Sequence, residues 1–225
     1  VFISVSAWLE EYAGDACGLR QLPEMVVCAH NVADVQTLLT LANLHRFPVT
    51  PRGGGSGLAG ACLVDRGGVV LSTRGLDAIR AIDTINFTME VEAGAISLRV
   101  REAAAARGLF YPPDPAGMEL STIGGNAATD AGGPACVKYG TTRDYILGLE
   151  AVLPDGSLIT TGVRTRKGVV GYDLTNLLVG CEGTLAVITA LTLKLLPKPA
   201  ATTGVLCAFA SMADAMRAVA RVMAA

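Results

Sequence analysis

The chain is 225 residues long, which is enough to bury a substantial apolar core in one large domain or in two smaller lobes. Its formal net charge is −2 and it has no basic stripe, so the sequence gives no reason to expect a nucleic-acid partner. Although 51% of the residues are hydrophobic, no apolar run approaches the roughly 20 residues that a membrane-spanning helix requires, and we predict no transmembrane segment.

The six cysteines are scattered without a C-x-x-C pair, and no basic-then-apolar secretion signal stands at the start of the chain. Such cysteines are typical of small buried residues in a reducing compartment, so we predict a cytoplasmic protein without a disulfide framework. Neither His30 nor His45 has a second ligand at metal spacing, and we predict no metal site. The chain begins at Val1 and its last residues, up to Ala225, resemble the middle of an amphipathic helix, so we expect a piece of a longer protein.

The first 75 residues predict one strand–helix–strand unit. Apolar residues recur at helical spacing over residues 6–13, and residues 25–28 predict a strand. Asn31 resembles an N-cap with Asp34 three residues on, which predicts a helix that begins there and ends near His45. A short strand over residues 48–50 follows, and the glycine-rich segment leaves it.

From Val69 onward the pattern predicts mainly strands, over residues 69–72, 79–82, 87–91, 146–153, 157–161 and 184–195. We expect Ser97 to cap a helix over residues 98–107 that ends at Gly108, and a short helix over residues 173–179. Residues 112–140, rich in glycine and proline, predict one long irregular functional loop. The register breaks at residues 197–199, so we place a domain boundary near residue 200, before a strand over residues 205–209 and a helix capped by Ser211.

Residues 51–60 (PRGGGSGLAG) are the most informative segment of the chain. A run of glycines can turn several N–H groups toward one anion, and Arg52 adds a positive planar donor, so this segment predicts a cradle for a dinucleotide pyrophosphate. A flexible surface loop is the alternative. Gly55, Gly57 and Gly60 fit the spacing G-x-G-x-x-G, but a loop and a strand follow instead of a helix, and no Gly-Lys-Ser/Thr closes a P-loop.

Two further glycine-rich segments stand at predicted strand ends, over residues 121–133 and 180–184. The first mixes small side chains, hydroxyls and an amide, which allow flat packing against a planar ring and leave hydrogen bonds for its polar edge. A structural Ω-loop is the alternative for this segment. Residues 112–115 (PPDP) stiffen the approach to it because each proline fixes its own φ.

Seven motifs then occur in order: 51–60 (PRGGGSGLAG), 111–115 (YPPDP), 122–126 (TIGGN), 138–140 (KYG), 152–156 (VLPDG), 171–174 (GYDL) and 182–185 (EGTL). Together they resemble the FAD-binding domain of the vanillyl-alcohol-oxidase/PCMH flavoproteins, and within that family the glycolate oxidase D subunit and D-lactate dehydrogenase group. The resemblance implies an α+β fold, in which FAD lies between two α/β lobes over about residues 1–75 and 76–200. Residues 201–225 would begin a substrate or cap domain.

The resemblance also implies a set of cofactor-binding residues. The pyrophosphate would be bound by Arg52, Gly53, Gly54, Gly55, Ser56, Gly57 and Leu58. The flavin and its ribityl chain would be lined by Pro113, Asp114, Thr122, Gly124, Gly125 and Asn126, and this wall would continue through Ala128, Thr129 and Gly133. The adenosine half would be approached by Glu182, Gly183 and Ile188.

Four positions depart from the family pattern. Ser56 stands where covalent relatives have histidine, so we predict dissociable FAD. Asp130 stands where asparagine is usual, and its carboxylate removes a donor and adds negative charge near the cofactor, which predicts weaker flavin binding or a less favourable reduced anion. Cys181 in place of serine and Ala186 in place of glycine are small changes from which we expect little effect.

The activity that the resemblance implies is oxidation of a 2-hydroxy acid, with hydride moving from substrate C2 to flavin N5 and partner subunits carrying electrons onward. The family's base, metal ligands and substrate-binding arginines lie in a C-terminal part that this chain lacks. We therefore predict no catalytic residue here, and no turnover by the chain alone. Two alternatives remain: a non-catalytic FAD-binding subunit for electron transfer or assembly, and an FAD-dependent reductase with another substrate. The partner subunits would also provide any association of the cytoplasmic protein with a membrane.

Overall fold

The computed structural model describes residues 2–3, 6–165 and 168–224 of the chain. The first lobe contains the strands β1 (Phe2–Ile3), β2 (Met25–Cys28), β3 (Val49–Arg52) and β4 (Val69–Ser72), and the helices α1 (Ser6–Leu9) and α2 (Val32–His45). Its sheet has the order β1-β2-β4-β3, in which β2, β4 and β3 are parallel and β1 is an antiparallel edge. The predicted strand–helix–strand unit is confirmed.

Helix α2 forms where its cap predicts. The side chain of Asn31 accepts a hydrogen bond from the Asp34 N–H at 3.0 Å, and the Asp34 carboxylate accepts one from the Asn31 N–H, so both orphan donors of the first turn are satisfied. Val35 and Leu38 then point into the core of the lobe, against the fully buried strand β4. The carboxyl end of β3 carries the chain directly into the glycine-rich segment.

The second lobe is built on a larger antiparallel sheet. Its strands are β5 (Ile79–Asp83), β6 (Thr88–Glu92), β7 (Leu109–Phe110), β8 (Ile146–Val152), β9 (Leu158–Gly162), β10 (Val187–Lys194) and β11 (Leu196–Pro197). Its helices are α3 (Ser97–Ala105), α4 (Ile123–Thr129), α5 (Cys136–Tyr139) and α6 (Leu174–Leu178), and α7 (Met212–Met223) follows the lobe. The sheet order is β5-β6-β10-β8-β9, and β11 pairs with β7.

One face of this sheet is apolar and the other is charged. Met89 and Val91 on β6 point into the main core, whereas Glu92 on the opposite face pairs with Arg80 at 3.2 Å. The period-2 alternation of β6 therefore sets which face helices α3 and α4 cover. The α+β fold of two lobes, one with a mainly parallel sheet and one with an antiparallel sheet, is confirmed.

The two lobes share apolar packing. Val152 at the end of β8 and Val187 at the start of β10 belong to the core of the first lobe, against residues of α2 and β4. The side-chain amide of Gln36 on α2 donates a hydrogen bond to the backbone oxygen of Gly156 at 3.0 Å. Residues at the carboxyl end of β3 and residues of the helix α4 both line one cleft.

The prediction of one irregular loop over residues 112–140 is wrong, because α4 and α5 lie within it. Glycines made the α4 segment a poor helix by propensity. In the folded protein, Gly124 lies against β6, where an added Cβ would come within 2.5 Å of the Ala93 Cβ. Only a residue without a side chain lets the helix approach the sheet this closely, so packing overrides the propensity.

Three smaller predictions are also corrected. Ser97 does not cap α3, since Ile96 occupies the N-cap position and the Ser97 hydroxyl bonds elsewhere. Strand β10 begins at Val187 and not at residue 184, because Glu182 and Gly183 adopt positive φ in a turn. Residues 205–209 are exposed and pair with no strand in the described part of the chain, so they form no strand.

The predicted last helix is present as α7, with the Ser211 side chain accepting from the Asp214 N–H at 3.2 Å. Ala225 lies outside the described residues, as does Val1. Across the described ranges, none of the helices combines the length and the apolar character needed to cross a bilayer.

Candidate cofactor site

A cavity of about 610 Å³ lies between the two lobes. Its walls are the segment after β3, the segment around α4 and the turn before β10, which are the three glycine-rich segments of the sequence. We call them the first loop (residues 53–60), the second loop (residues 121–133) and the third loop (residues 180–184). The volume lies in the range of pockets that bury a small-molecule cofactor.

Glycines of the first loop have two distinct surroundings. An added Cβ on Gly53 would lie 2.3 Å from Thr122 Oγ1, and one on Gly54 would lie 2.0 Å from the Leu120 carbonyl oxygen. These two glycines let the first loop pack directly on the second. Gly57, in contrast, has no atom within 4 Å of its added Cβ although it lines the cavity, so its bare backbone is open to a ligand.

Arg52 is buried beneath the first loop. Its guanidinium donates hydrogen bonds to the carbonyls of Gly14 at 2.6 Å and Glu11 at 3.4 Å, and it lies 5.7 Å from the centre of the Tyr12 ring. Gly55, with φ of +69°, bends over this side chain. The sequence predicts that the Arg52 guanidinium faces a phosphate. In the structure it bonds to backbone carbonyls below the first loop, and its positive charge lies beneath that loop.

The segment over residues 10–21, which we call the strap, braces the first loop from outside. Asp15 accepts hydrogen bonds from the Cys17 N–H at 2.8 Å and the Gly60 N–H at 3.1 Å. The Ala16 N–H donates to the Gly57 carbonyl at 3.0 Å. Burial opposes ionisation of Asp15, but the hydrogen bonds from Cys17 and Gly60 and the nearby Arg52 charge outweigh it and lower the pKa of this carboxyl.

Cys62 lines the cavity between Arg52 and Asp15. Its sulfur accepts a hydrogen bond from the Arg52 guanidinium at 3.3 Å and lies 3.9 Å from Asp15 Oδ2. Burial raises the pKa of the thiol, and the adjacent guanidinium offsets only part of that rise. Cys62 is therefore a neutral thiol in the floor of the site.

The second loop is fixed by a buried network of hydroxyls and one amide. The Asn126 side-chain amide donates to Ser97 Oγ at 2.7 Å, and Ser97 Oγ lies 2.8 Å from Ser121 Oγ. Thr122 caps α4 by accepting a hydrogen bond from the Gly125 N–H at 3.2 Å. These bonds hold the first turn of α4, with Thr122 and Asn126, at the cavity wall.

The third loop is attached to α4 by its backbone. The Gly180 N–H donates to the Ala127 carbonyl at 2.9 Å, and the Glu182 N–H donates to the Ala128 carbonyl at 2.8 Å. Gly183, with φ of +79°, lies against Pro51 at the end of β3. The third loop is thus hydrogen-bonded to α4 in the second loop and packs against Pro51, next to the start of the first loop.

Most of the residues expected from the family resemblance line this cavity: Arg52, Gly53, Gly54, Gly55, Ser56, Gly57, Leu58, Thr122, Gly124, Gly125, Asn126, Ala128, Thr129, Glu182, Gly183 and Ile188. Their contact with a cofactor stays a prediction. Pro113, Asp114 and Gly133 are not part of the lining. The Asp114 carboxylate accepts from the Ala135 N–H at 3.0 Å, and an added Cβ on Gly133 would meet the Asp114 carbonyl at 2.2 Å, so these residues shape the second loop from behind.

Sequence reasoning missed other lining residues, among them Asp15, Cys62, Thr73 and Gly117. Asp15 and Cys62 carry no motif that could have marked them, since they lie 47 positions apart. Thr73 follows the buried strand β4 and was recognisable only once the parallel pairing of β3 and β4 was known. Both histidines are exposed and lie outside the lining.

Comparison with known proteins shows which family the chain belongs to. The family model for the FAD binding domain matches residues 23–162. The chain belongs to this FAD-binding family, and its cofactor is FAD. The family and the fold of a PCMH-type FAD-binding domain are thereby shown, and that FAD occupies the cavity between the lobes stays a prediction.

Two curated relatives show how far the likeness extends. Glycolate oxidase subunit GlcD of Bacillus subtilis is 42% identical over 215 residues, which are 95% of this chain and 46% of that protein. A D-lactate dehydrogenase of Archaeoglobus fulgidus is 43% identical over 198 residues, which are 88% of this chain and 44% of that protein. The chain spans about half the length of these relatives.

A solved structure of alkyldihydroxyacetonephosphate synthase superposes with a TM-score of 0.76 at 24% identity, over 89% of this chain and 41% of that one. At this identity the superposition shows a shared fold. It agrees with the arrangement of two lobes around a cleft.

The residues present fit FAD by their own chemistry. The bare backbone at Gly57 allows close approach of a diphosphate, and the buried Arg52 charge beneath the loop favours an anion there. The small residues at the start of α4 offer a flat wall with polar edges for a planar ring. The described residues contain no group of three His, Cys, Asp or Glu side chains that could hold a metal ion.

We expect Gly57→Val to weaken FAD binding at least about tenfold, equivalent to about 1.4 kcal/mol, because the new side chain fills space that the ligand needs. The melting temperature of the apoprotein should stay unchanged, since no protein atom lies within 4 Å of the added Cβ. Fluorescence titration with FAD measures the affinity, and circular dichroism measures the melting temperature. Gly204→Val, at an exposed glycine with equally open surroundings, is the control. Equal affinity of the two variants would contradict the site.

We expect Arg52→Lys to lower the free energy of unfolding of the apoprotein by about 1–3 kcal/mol, because one ammonium nitrogen cannot replace both Nη2, which donates to the Gly14 and Glu11 carbonyls, and Nη1, which donates to the Cys62 sulfur. Urea unfolding measures this loss. The matched control is Arg74→Lys, whose exposed ion pair with Glu11 should contribute less than about 1 kcal/mol. Similar losses for both variants would show that Arg52 does not brace the loop.

Proposed function

We propose that the protein is the FAD-binding portion of a flavin-dependent dehydrogenase of 2-hydroxy acids. The single observation that carries the proposal is the cavity between the lobes, whose walls are the three glycine-rich loops. The names of the curated relatives, a glycolate oxidase subunit and D-lactate dehydrogenases, support this substrate class. They favour an enzyme over a non-catalytic electron-transfer or assembly subunit.

In this proposal each part of the chain has a distinct task. Backbone amides of the first loop, with the Arg52 charge behind them, bind the pyrophosphate. The start of α4, fixed by Asn126 and Ser97, orients the ring. When bound, FAD supplies the acceptor for the hydride that leaves substrate C2. The closed contact between the first and second loops excludes water from the floor of the site.

We assign no catalytic base within the lining. The carboxylates of Asp15 and Asp130 accept hydrogen bonds from neighbouring groups, and these bonds outweigh the effect of burial and lower the pKa of each. A lowered pKa makes a carboxylate a poor acceptor for a hydroxyl proton. We propose that the base belongs to the part of the protein that the relatives have and this chain does not span.

Electron acceptors and cellular location belong to the proposal as well. We propose that partner subunits carry electrons onward from the reduced cofactor. The six cysteines, all free in the described part of the chain, support a reducing compartment and hence the cytoplasm, with association to a membrane through partners.

To test the function, the FAD-loaded protein is mixed anaerobically with D-lactate, L-lactate or glycolate, and the flavin absorbance is followed. If this chain requires the remaining half for its base, it binds FAD without bleaching. The protein expressed from a reading frame extended to the length of the relatives then loses its flavin absorbance with D-lactate or glycolate. An extended protein that binds FAD and is reduced by none of these acids would contradict the substrate class. A protein without flavin absorbance would contradict the FAD site itself.

We also expect the FAD to be dissociable, because Ser56 offers no imidazole for a covalent link to the flavin. After acid precipitation of the loaded protein, the yellow colour should appear in the supernatant. Flavin that remains in the washed pellet would show a covalent bond. The free thiol of Cys62, which also lines the cavity, would then be the first residue to examine by Cys62→Ser.

A further inference from the structure

The Asp130 carboxylate lies in the cavity wall at the C-terminal end of α4. Its residue adopts the left-handed conformation, with φ of +47°, which turns the chain out of the helix. The side chain is about one quarter exposed, and the residue is part of the cavity lining. FAD carries a diphosphate, so an uncompensated carboxylate at this wall would repel it.

Arg143 compensates this charge. Its backbone N–H donates to Asp130 Oδ1 at 2.9 Å, and its Nε–H donates to Asp130 Oδ2 at 3.0 Å. The two donors engage both carboxylate oxygens, which fixes the carboxylate plane and its distance from the guanidinium. The arginine is about one third exposed, so the pair is partly shielded from solvent and its attraction is only partly screened.

The same guanidinium also bonds to two carbonyls that precede the third loop. Its Nη1 donates to the Asn176 carbonyl and its Nη2 donates to the Val179 carbonyl at 2.7 Å. These carbonyls belong to α6 and to the residue that follows it, immediately before Gly180. One side chain therefore connects the end of α4 to the start of the loop that presents Glu182 and Gly183 to the cavity.

We propose that Arg143 is a positioning residue for the dinucleotide, which neutralises the Asp130 carboxylate at the cavity wall and ties α4 to the third loop. The proposal rests on the proposed function in that it takes FAD as the occupant. It also revises the expectation that Asp130 weakens flavin binding, since the carboxylate is paired and its charge is compensated within the protein.

A double-mutant cycle tests this proposal, with FAD affinity measured by fluorescence titration. Arg143→Gln keeps the backbone hydrogen bond to Asp130 but removes the positive charge that compensates the carboxylate, and it should raise the Kd for FAD about tenfold. Adding Asp130→Asn to that variant removes the offending charge, so the double variant should bind FAD at least threefold more tightly than Arg143→Gln alone. A purely structural arginine would give no such recovery, because the second change only removes another bond.

Asp130→Asn alone is a second measurement that does not depend on the stability of the arginine variants. It leaves the Arg143 cation facing an anionic ligand, so the Kd should stay equal or fall. Arg99→Gln is the matched control, since Arg99 pairs with Asp77 at 3.2 Å on an exposed surface outside the cavity lining, and its Kd should equal that of the wild type.

The outcomes distinguish a failure of the proposed function from a failure of the role proposed for Arg143. Wild-type protein that does not bind FAD would overturn the proposed function. If the wild-type protein binds FAD, three results would each overturn the role of Arg143 alone. These are an unchanged Kd for Arg143→Gln, no recovery of affinity in the double variant, and weaker FAD binding by Asp130→Asn alone. Thermal melts of each variant confirm that the compared proteins are folded.

Discussion

The width of the cavity depends on three glycines whose backbone lies directly against a neighbouring segment. An added Cβ would come within 2.3 Å of Thr122 at Gly53, 2.0 Å of Leu120 at Gly54 and 2.5 Å of Ala93 at Gly124. Ordinary side chains at these positions would push the first loop off the second, and α4 off the antiparallel sheet. The glycines therefore determine the distance between the walls before any ligand binds.

Two arginines, one buried and one half-buried, stabilise the loops that the glycines allow to pack closely. Arg52 bonds to the strap under the first loop, and Arg143 bonds to Asp130 and to the carbonyls before the third loop. In both cases several donors of one planar fork engage backbone groups that are distant in sequence. Their positive charge lies behind or beside the cavity, where it can favour an anion without occupying the space of that anion.

The sequence was sufficient for the features that depend on local pattern. The cap at Asn31, the alternation through Met89 and Val91, and the three glycine-rich loops are all local signals, and the structure has each of them. Helix α4 was missed because its stability comes from contact with β6, which outweighs the poor propensity of two glycines. The strap and the position of the Arg52 fork were missed because their bonds join residues about 40 positions apart, which no local pattern encodes.

The apolar packing shared by the lobes has a consequence for how the cofactor enters. Val152 and Val187 belong to the second lobe in sequence but lie in the core of the first, so a hinge motion that parted the lobes would expose them to water. FAD, the occupant that we propose, would then enter a cleft that already has its final width. The association rate of FAD should be governed by its diffusion into this preformed cleft, and the polypeptide should lose little conformational entropy when FAD binds.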